Sequence, residues 1–190
     1  MIDLPIKVKS IKYLDKGKRS LVYTGVYKNK KVAIKIKNPD STAIERTKNE
    51  AKYIKLLNKH GIGPKFVKAG KNFLMHELAE GKQYIELIKT NKKKELTLQI
   101  IDQCRTLDKL KINKLEFTRP IKHFFVKDNK VTMIDFERCY KTDKPKNLTQ
   151  FCNFLNLKKL YKIPRKILIE YKDKPTEKNF KKIRDIIGRA

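Results

Sequence analysis

The apolar residues of this chain change their spacing near Glu80-Gly81, and this change constrains the fold more than any other sequence feature. Before that point they alternate with polar residues, as in Leu21–Tyr27 and Lys31–Lys37, which is typical of half-buried β-strands. After it they recur every three or four residues, as in Thr97–Leu110, which is typical of amphipathic helices. The sequence therefore predicts an α+β fold with a β-rich N-terminal part and a mainly helical C-terminal part.

One helix is predicted within the β-rich part. Thr42 and Glu45 fit a capping box at its start, and Gly61 suits the left-handed conformation that often follows a helix end. A turn is predicted at Lys28-Asn29-Lys30, since Asn tolerates positive φ. The predicted strands are Ser10–Leu14, Leu21–Tyr27, Lys31–Lys37, Lys65–Ala69 and Asn72–Glu77.

The C-terminal part is predicted to hold several helices and one β-hairpin. The hairpin comprises His123–Val126 and Val131–Ile134 around a turn at Asp128-Asn129. Lys111–Lys122 has no regular pattern and is predicted to be irregular. The predicted helices are Tyr84–Lys89, Thr97–Leu110, Thr149–Leu157, Arg165–Tyr171 and Thr176–Ile187, the last ended by Gly188.

The chain is strongly basic, with 48 Lys and Arg against 20 Asp and Glu and a formal net charge of +28. Such a surplus attracts polyanions such as RNA, nucleotides or acidic proteins. A Lys-rich coat of solvated side chains is the other interpretation, and the even spread of the charge favours it for most of these residues. Disorder is not expected, because 39% of the 190 residues are apolar and occur in periodic runs.

Neither a membrane span nor a disulfide framework is expected. No stretch approaches the roughly 20 apolar residues that cross a bilayer, and the N-terminus has no apolar signal-peptide core. Cys104, Cys139 and Cys152 are odd in number and form no CxxC pair. We therefore expect a protein of the reducing cytoplasm with no membrane partner.

Lys35 and Glu50 are predicted to pair. A lysine on a strand is by itself most often a solvated charge. Glu50, however, shares its side of the predicted helix with Ile54 and Leu57 and so borders the buried face. An unpaired carboxylate would be costly there, and Lys35 is its natural partner.

Two further features could hold a phosphorylated ligand. Gly17 and Ser20 lie in a predicted tight loop between strands, where backbone N–H groups can approach phosphate oxygens. Asp135 ends an apolar strand and precedes Phe136, and a carboxylate in this place suits Mg²⁺. Taken singly, an ordinary hairpin turn and a strand-ending Asp explain these features equally well.

The order of these features resembles that of protein kinases: glycine-bearing hairpin, strand Lys, helix Glu, apolar connection, hairpin, Asp-Phe. Within the protein-kinase-like superfamily the chain resembles the small atypical kinases of the RIO type and of the tRNA-modification-associated type, in particular a compact archaeal group of serine/threonine kinases. The resemblance covers about residues 10–155. It is carried by KGKRSLVY (16–23), VAIK (32–35), PDSTAIERTKNEA (39–51), GIGP (61–64), FLMHELAEG (73–81), RPIKH (119–123) and IDFER (134–138).

The resemblance implies a single bilobal kinase-like domain over residues 1–190. Residues 1–80 would form an N-terminal lobe, an antiparallel sheet plus one helix, and residues 81–190 a reduced, mainly helical C-terminal lobe. A ligand cleft is expected between such lobes. The implied activity is an ATP- and Mg²⁺-dependent phosphotransferase, namely a serine/threonine protein kinase acting on a protein substrate.

The resemblance also implies roles for individual residues. Lys35 would hold the α- and β-phosphates of ATP and pair with Glu50, and Asp135 would bind Mg²⁺. Backbone groups of Glu77 and Leu78 would bind adenine. The remaining nucleotide contacts would come from Gly17, Ser20, Val22, Ala33, Met75 and His123.

The catalytic loop departs from the usual kinase pattern. Thr118 stands at the position of the usual Asp, and His123 at that of the usual Asn. The archaeal pattern Glu-x-x-Arg-Pro-x-Lys-His makes Glu116 the candidate base, and Arg119 or Lys122 would neutralise the transferring phosphoryl group. His123 is a poor Mg²⁺ ligand and is expected to bind a phosphate instead.

Two other functions stay open. The first is a nucleotide-binding module without strong phosphotransfer, acting as a switch on RNA or a ribosomal particle, which the atypical loop and the positive charge favour. The second is a plain RNA-binding protein. The sequence has no RNP-type aromatic motif and no KH-type GxxG loop, which makes the second weaker.

Overall fold

A five-stranded antiparallel sheet dominates the N-terminal part of the computed structural model, which describes residues 7–17, 19–39, 46–118 and 120–189. The strands are β1 (Lys9–Lys16), β2 (Ser20–Tyr27), β3 (Lys30–Lys37), β4 (Phe66–Ala69) and β5 (Phe73–Glu77). They lie in the order β1-β2-β3-β5-β4. Four of the five predicted strands differ from these by one residue at their start, and β1 begins one residue earlier and ends two residues later than predicted.

The turn between β2 and β3 has the predicted conformation. Lys28 and Asn29 have φ values of 47° and 60°, as both central residues of a type I′ hairpin turn require. The turn sets the register in which Val22 lies opposite Lys35.

Helix α1 (Arg46–Asn58) follows β3 along the chain. It ends in a Schellman motif, because the N–H of Ile62 donates to the Leu57 carbonyl and the N–H of Gly61 donates to the Asn58 carbonyl. Gly61 has a φ of 70°, which confirms the conformation predicted for it. The capping box predicted at Thr42 and Glu45 lies outside the described residues.

The two faces of the sheet carry different side chains, because successive residues of a strand point to opposite sides. One face holds a hydrophobic core of Val32, Ile34, Phe73 and Met75. The other face carries Lys35, and α1 lies against it, since Glu50 of α1 reaches the Lys35 ammonium.

The C-terminal part is mainly helical and has short strands. A cluster of aromatic rings forms part of its core, from Tyr84, Phe117, Phe124, Phe151 and Phe154. The helices are α2 (Tyr84–Leu87), α3 (Lys93–Lys109), α4 (Asn147–Leu157), α5 (Arg165–Asp173) and α6 (Glu177–Arg189). The strands are β6 (Lys82–Gln83), β7 (Ile112–Lys114), β8 (Phe124–Lys127), β9 (Lys130–Met133) and β10 (Cys139–Lys141).

The structure differs from the prediction in several places here. Helix α3 begins at Lys93 and not at Thr97, and β6 and β10 were not predicted. The stretch predicted to be irregular contains β7, which pairs with β10, and two 3₁₀ helices at Leu115–Thr118 and Pro120–Lys122. Gly188 was predicted to end the last helix, and this is wrong. It lies inside α6, because the buried face of that helix continues through Ile187.

The chain forms two compact units. The first comprises the residues up to Ala79 together with Ile134–Arg138, and the second comprises Glu80–Met133 together with the residues from Cys139 onward. The short segment that carries Asp135 therefore packs with the N-terminal sheet and α1. Within the described ranges, no helix has the length and apolar character to cross a bilayer.

Candidate functional site

Lys35 and Glu50 form an ion pair within the first unit, which confirms the predicted pairing. The Lys35 ammonium donates to both carboxylate oxygens of Glu50, at 2.8 and 2.9 Å. The side chains are only 13% and 2% exposed. Each charge is therefore removed from water and compensated by the other, as a buried charge requires.

The charges around Lys35 keep its ammonium protonated. Burial acts to lower the pKa of Lys35, but the Glu50 and Asp135 carboxylates outweigh this and raise that pKa above its ordinary value. Burial raises the pKa of the Glu50 carboxyl, and the Lys35 ammonium opposes this rise. Lys35 is therefore held as an ammonium on one face of the sheet, with its charge compensated by Glu50 and Asp135.

Asp135 is the third member of this group. Its Oδ1 lies 3.4 Å from the Lys35 Nζ, and its side chain is 29% exposed, so a ligand can reach the carboxylate. Its backbone has a φ of 66°, in the left-handed region that Asp enters more readily than most residues. Such backbone conformations often occur at functional sites.

Two consecutive residues of helix α1, Asn49 and Glu50, form hydrogen bonds to the backbone that follows Asp135. The Phe136 N–H donates to Glu50 Oε1 at 3.2 Å, and the Asn49 side-chain amide donates to the Glu137 carbonyl at 2.9 Å. Glu50 therefore positions both Lys35 and the backbone that carries Asp135. Asn49 was not found from the sequence, because a polar residue beside a helix Glu gives no signal of its own.

The loop between β1 and β2 is tied to the same segment. The Gly17 N–H donates to the Ser20 carbonyl at 2.9 Å, so it is engaged within the loop and not free for a phosphate. Arg19 donates to Glu137 Oε1 at 3.0 Å. Burial raises the pKa of Glu137, and the Asp135 charge adds to the rise, whereas Arg19 opposes it.

In the register of the sheet, Val22 lies opposite Lys35 and Ala33 lies opposite His76, so these four side chains share one face. Met75 does not lie on that face. Met75 is fully buried in the core on the opposite face. It is therefore not in a position to line this site, and its predicted role as a nucleotide contact is a wrong assignment. The alternation of the strand instead brings His76 to the face of Lys35.

His76 is neutral at pH 7. Burial lowers its pKa to about 4. Its Nδ1 lies 2.8 Å from the Glu77 carbonyl oxygen. Because a carbonyl can only accept, Nδ1 carries the proton of the neutral ring. The sequence did not reveal this residue, because the register of β5 against β3 was unknown.

The backbone N–H groups of Glu77 and Leu78 are engaged within the sheet and its edge. The Glu77 N–H donates to the Lys65 carbonyl at 2.8 Å, and the Leu78 N–H donates to the Lys31 carbonyl at 3.0 Å. Contacts from these two residues to adenine would therefore have to use their carbonyl oxygens. The sequence alone could not show whether these two N–H groups are hydrogen-bonded within the protein or available to bind adenine.

Glu116, Lys122 and His123 belong to the second unit. Glu116 lies on the first 3₁₀ helix with a side chain 11% exposed, and Lys114 donates to its Oε2 at 3.1 Å. Lys122 is exposed at the end of the second 3₁₀ helix, and His123 is half-buried. Arg119 and the side chain of Thr118 lie outside the described residues. Lys114, whose side chain is fully buried, was missed because its strand is only three residues long.

A buried hydrogen-bond network supports the backbone that leads to Glu116. Asn147, at the first turn of α4, accepts from the Lys114 N–H at 2.8 Å and donates to the Ile112 carbonyl at 2.6 Å. Asp108 accepts from the Asn147 side chain at 2.7 Å and from the Tyr171 hydroxyl at 2.9 Å. This network fixes β7, and therefore the start of the 3₁₀ helix that carries Glu116.

The donor set around Asp135 fits Mg²⁺ held jointly with phosphate groups. The described residues contain no cluster of three or more His, Cys, Asp or Glu that could hold a metal alone. Mg²⁺ is commonly bound by one or two carboxylates together with substrate phosphates. The partly exposed carboxylate of Asp135 supplies a hard oxygen ligand of this kind.

Comparison with known proteins relates the chain to a kinase structure. No protein-family model and no curated protein matches the sequence. A solved structure that matches is the Rio2 kinase–ADP/Mg²⁺–phosphoaspartate complex from Chaetomium thermophilum, with a TM-score of 0.64 and 12% identity. The match covers 97% of this chain and 62% of that one. At this identity the match shows the fold alone, so the chain has a protein-kinase-like fold and spans about three fifths of that kinase's length.

Proposed function

We propose that the chain is an ATP- and Mg²⁺-dependent phosphotransferase, an atypical serine/threonine protein kinase. The observation that carries the proposal is the Lys35–Glu50 ion pair with Asp135 3.4 Å from the Lys35 ammonium. A cation and a partly exposed carboxylate side by side suit a ligand with phosphate oxygens and a divalent cation. The kinase-like fold supports this interpretation.

Catalysis would rest on positioning and electrostatics, with no covalent step on the protein. Lys35 would bind phosphate oxygens of ATP, and Glu50 would hold the ammonium in place. Asp135 would hold Mg²⁺ together with the phosphates, and the bound ion would neutralise charge on the transferring group. Burial of Lys35 and Glu50 strengthens these charge interactions relative to water.

Glu116 would be the base that orients the accepting Ser or Thr hydroxyl. Lys114 fixes the direction of its carboxylate through the 3.1 Å bond to Oε2. Lys122 and Arg119 would neutralise charge on the phosphoryl group, and His123 would bind a phosphate oxygen. Gly17, Ser20, Val22, Ala33, and the carbonyl oxygens of Glu77 and Leu78 would complete the nucleotide contacts.

A specific observation also favours nucleotide binding without strong transfer. The Glu116 carboxylate is largely buried and already engaged by a fully buried lysine. An acceptor hydroxyl would have to compete with that ammonium for the carboxylate. In that case the chain would act as an ATP-dependent switch.

Two measurements on wild-type protein and on Lys35→Met test the proposal. We expect ATP with Mg²⁺ to raise the unfolding temperature of the wild type, since ligand at 100 times its Kd stabilises by about 2.7 kcal/mol. Labelled phosphate from ATP should reach the protein or a Ser/Thr-containing acceptor. Lys35→Met should abolish both signals, whereas Lys37→Met on the same strand, with an exposed side chain, should retain both.

The outcomes separate the alternatives. A thermal shift with transfer supports the kinase, and a shift without transfer supports the switch. If wild-type protein shows neither signal, both proposals are wrong.

A further inference from the structure

A groove of about 640 Å³ lies in the first unit beside α1, and its lining does not include Lys35, Glu50 or Asp135. Seven of its twelve lining residues are Lys or Arg, and no acidic residue lines the part of it that the structure describes. The described lining therefore carries a large excess of positive charge, part of which Glu137 offsets through its ion pair with Arg19. Such an excess attracts an anion that carries several charges.

Helix α1 supplies one wall of the groove with Lys48, Lys52 and Lys55. These lysines are spaced by four and three residues, so they share one face of the helix, where like charges repel. All three are exposed. The Lys55 ammonium lies 4.5 Å from the centre of the Phe66 ring, which limits where it can point.

Further cations in the lining come from elements other than α1. Arg19 comes from the β1–β2 loop, Lys37 from the end of β3, and Lys71 from the β4–β5 turn. Arg19 is held by Glu137. Residues far apart in the sequence thus converge on one groove, which an even coating of surface lysines would not produce.

Arg46, in the first turn of α1, gives a second and independent observation. Its Nε is buried and has no hydrogen-bond partner within the described part of the chain. Buried polar groups of folded proteins usually have a partner. Arg46 also lines the groove and adds to its positive charge, and its side chain would have to shift before a phosphate oxygen bound there could accept from Nε.

The uncharged lining indicates what kind of polyanion fits. It consists of small residues, including Ala51, Ala69 and Gly70, with no aromatic or large apolar side chain among the lining residues described. Unstacked bases of a single strand would find no ring to stack on, and a peptide would find no apolar pocket. A duplex keeps its bases stacked inside and presents only its backbone.

We propose that this groove binds the sugar–phosphate backbone of duplex RNA without reading its sequence. The deep and narrow major groove of A-form RNA brings phosphates of both strands close together. This gives a density of negative charge that suits a groove lined by seven basic residues, one of which, Arg19, is paired with Glu137. The proposal does not depend on phosphotransfer, since none of Lys35, Glu50 and Asp135 takes part.

The test compares two variants that remove the same charge from different places. The groove variant is Lys48→Gln/Lys52→Gln/Lys55→Gln. The control variant is Lys172→Gln/Lys178→Gln/Lys181→Gln, which changes three exposed lysines of the second unit. Binding is measured by fluorescence anisotropy with a labelled RNA duplex of about 16 base pairs, the span of a typical duplex-binding domain, over a series of salt concentrations.

We expect the groove variant to bind at least tenfold more weakly than the wild type near physiological salt. The slope of log K against log salt should become shallower by about 0.9 for each phosphate that the variant no longer neutralises. Arg46→Gln, a single change inside the groove, should reduce the slope by about 1. The control variant should keep the wild-type slope, and circular dichroism should show that all variants are folded.

Three results would overturn the proposal. The first is equal loss of binding in the groove and control variants, which would show that net charge alone attracts RNA. The second is no binding by the wild type. The third is competition by inorganic polyphosphate, polyglutamate or duplex DNA that equals competition by unlabelled duplex RNA at the same concentration of charge.

Discussion

Arg19 donates a hydrogen bond to Glu137 at 3.0 Å and so joins the β1–β2 loop to the segment that carries Asp135. The two residues lie 118 positions apart in the chain. The loop expected to cover the phosphates of ATP is thus fastened two residues beyond the candidate metal ligand. A ligand between the loop and Asp135 would have to be bound with this ion pair in place, or the pair would have to break.

The Arg19–Glu137 pair should contribute measurably to stability. The side chains are 30% and 12% exposed, so solvent screens the pair only in part. A double-mutant cycle with Arg19→Gln and Glu137→Gln should give a coupling of about 1 kcal/mol in the free energy of unfolding. The exposed pair Lys111–Asp143 should show no measurable coupling in the same experiment. Equal coupling in both pairs would contradict the expectation.

Glu50→Gln should destabilise the protein strongly. The change leaves the Lys35 ammonium buried without its carboxylate, and breaking a buried pair costs about 3–5 kcal/mol. Urea unfolding measures the loss, and labelled-ATP assays should show that phosphotransfer falls with it. Glu95→Gln, at an exposed position of α3, is the control and should leave both properties unchanged. A Glu50→Gln protein as stable as the wild type would show that the pair does not hold the first unit together.

Glu116→Gln should separate nucleotide binding from transfer. Loss of a general base typically lowers the rate by about 10²–10⁴-fold. The thermal shift with ATP and Mg²⁺ should persist, because the Lys35–Glu50–Asp135 group lies in the other unit of the chain. A normal transfer rate in this variant would show that Glu116 is not the base.

His76 should make the protein less stable as the pH falls from about 6.5 to 4. Its folded-state pKa of about 4 lies below the ordinary value of 6.5. In this window the unfolded chain binds a proton that the folded chain does not, so the free energy of unfolding drops by up to about 3 kcal/mol. Urea unfolding across this range should show a weaker pH dependence for His76→Gln. The exposed His60 provides the control, and His60→Gln should retain the wild-type dependence.

Asn147→Ala should destabilise the second unit. It removes the acceptor of the Lys114 N–H and a donor to Asp108, and leaves these groups buried. Each buried group left without a partner costs about 1–3 kcal/mol, so the total should be at least about 2 kcal/mol. Asn153→Ala, at an exposed position of the same helix, should have little effect in thermal unfolding. Similar losses in the two variants would mean that the network does not carry this stability.

The features predicted successfully from the sequence depend on local patterns. The turn at Lys28-Asn29 and the helix end at Gly61 follow from the backbone conformations that these residues allow. The Lys35–Glu50 pair followed from the cost of leaving a carboxylate unpaired at a buried helix face. Each of these inferences required only residues close in sequence or one strong energetic constraint.

The features that were missed depend on three-dimensional register. Met75 and His76 are neighbours, and only the pairing of β5 with β3 decides which of them faces Lys35. The Arg19–Glu137 bond joins residues that are 118 positions apart in the chain. Nothing in the sequence around either residue indicates that the other is its partner. Strand β7 is three residues long and exists only because it pairs with β10.

The membership of Ile134–Arg138 in the first unit has a consequence for dissecting the protein. A fragment that ends at Ala79 would retain Lys35 and Glu50 but would lack Asp135 and the Phe136 N–H that Glu50 accepts. Expressed alone, it would be an incomplete folding unit with an exposed gap beside α1. The first unit is therefore discontinuous in sequence, and no single contiguous fragment of the chain contains it without also containing part of the second unit.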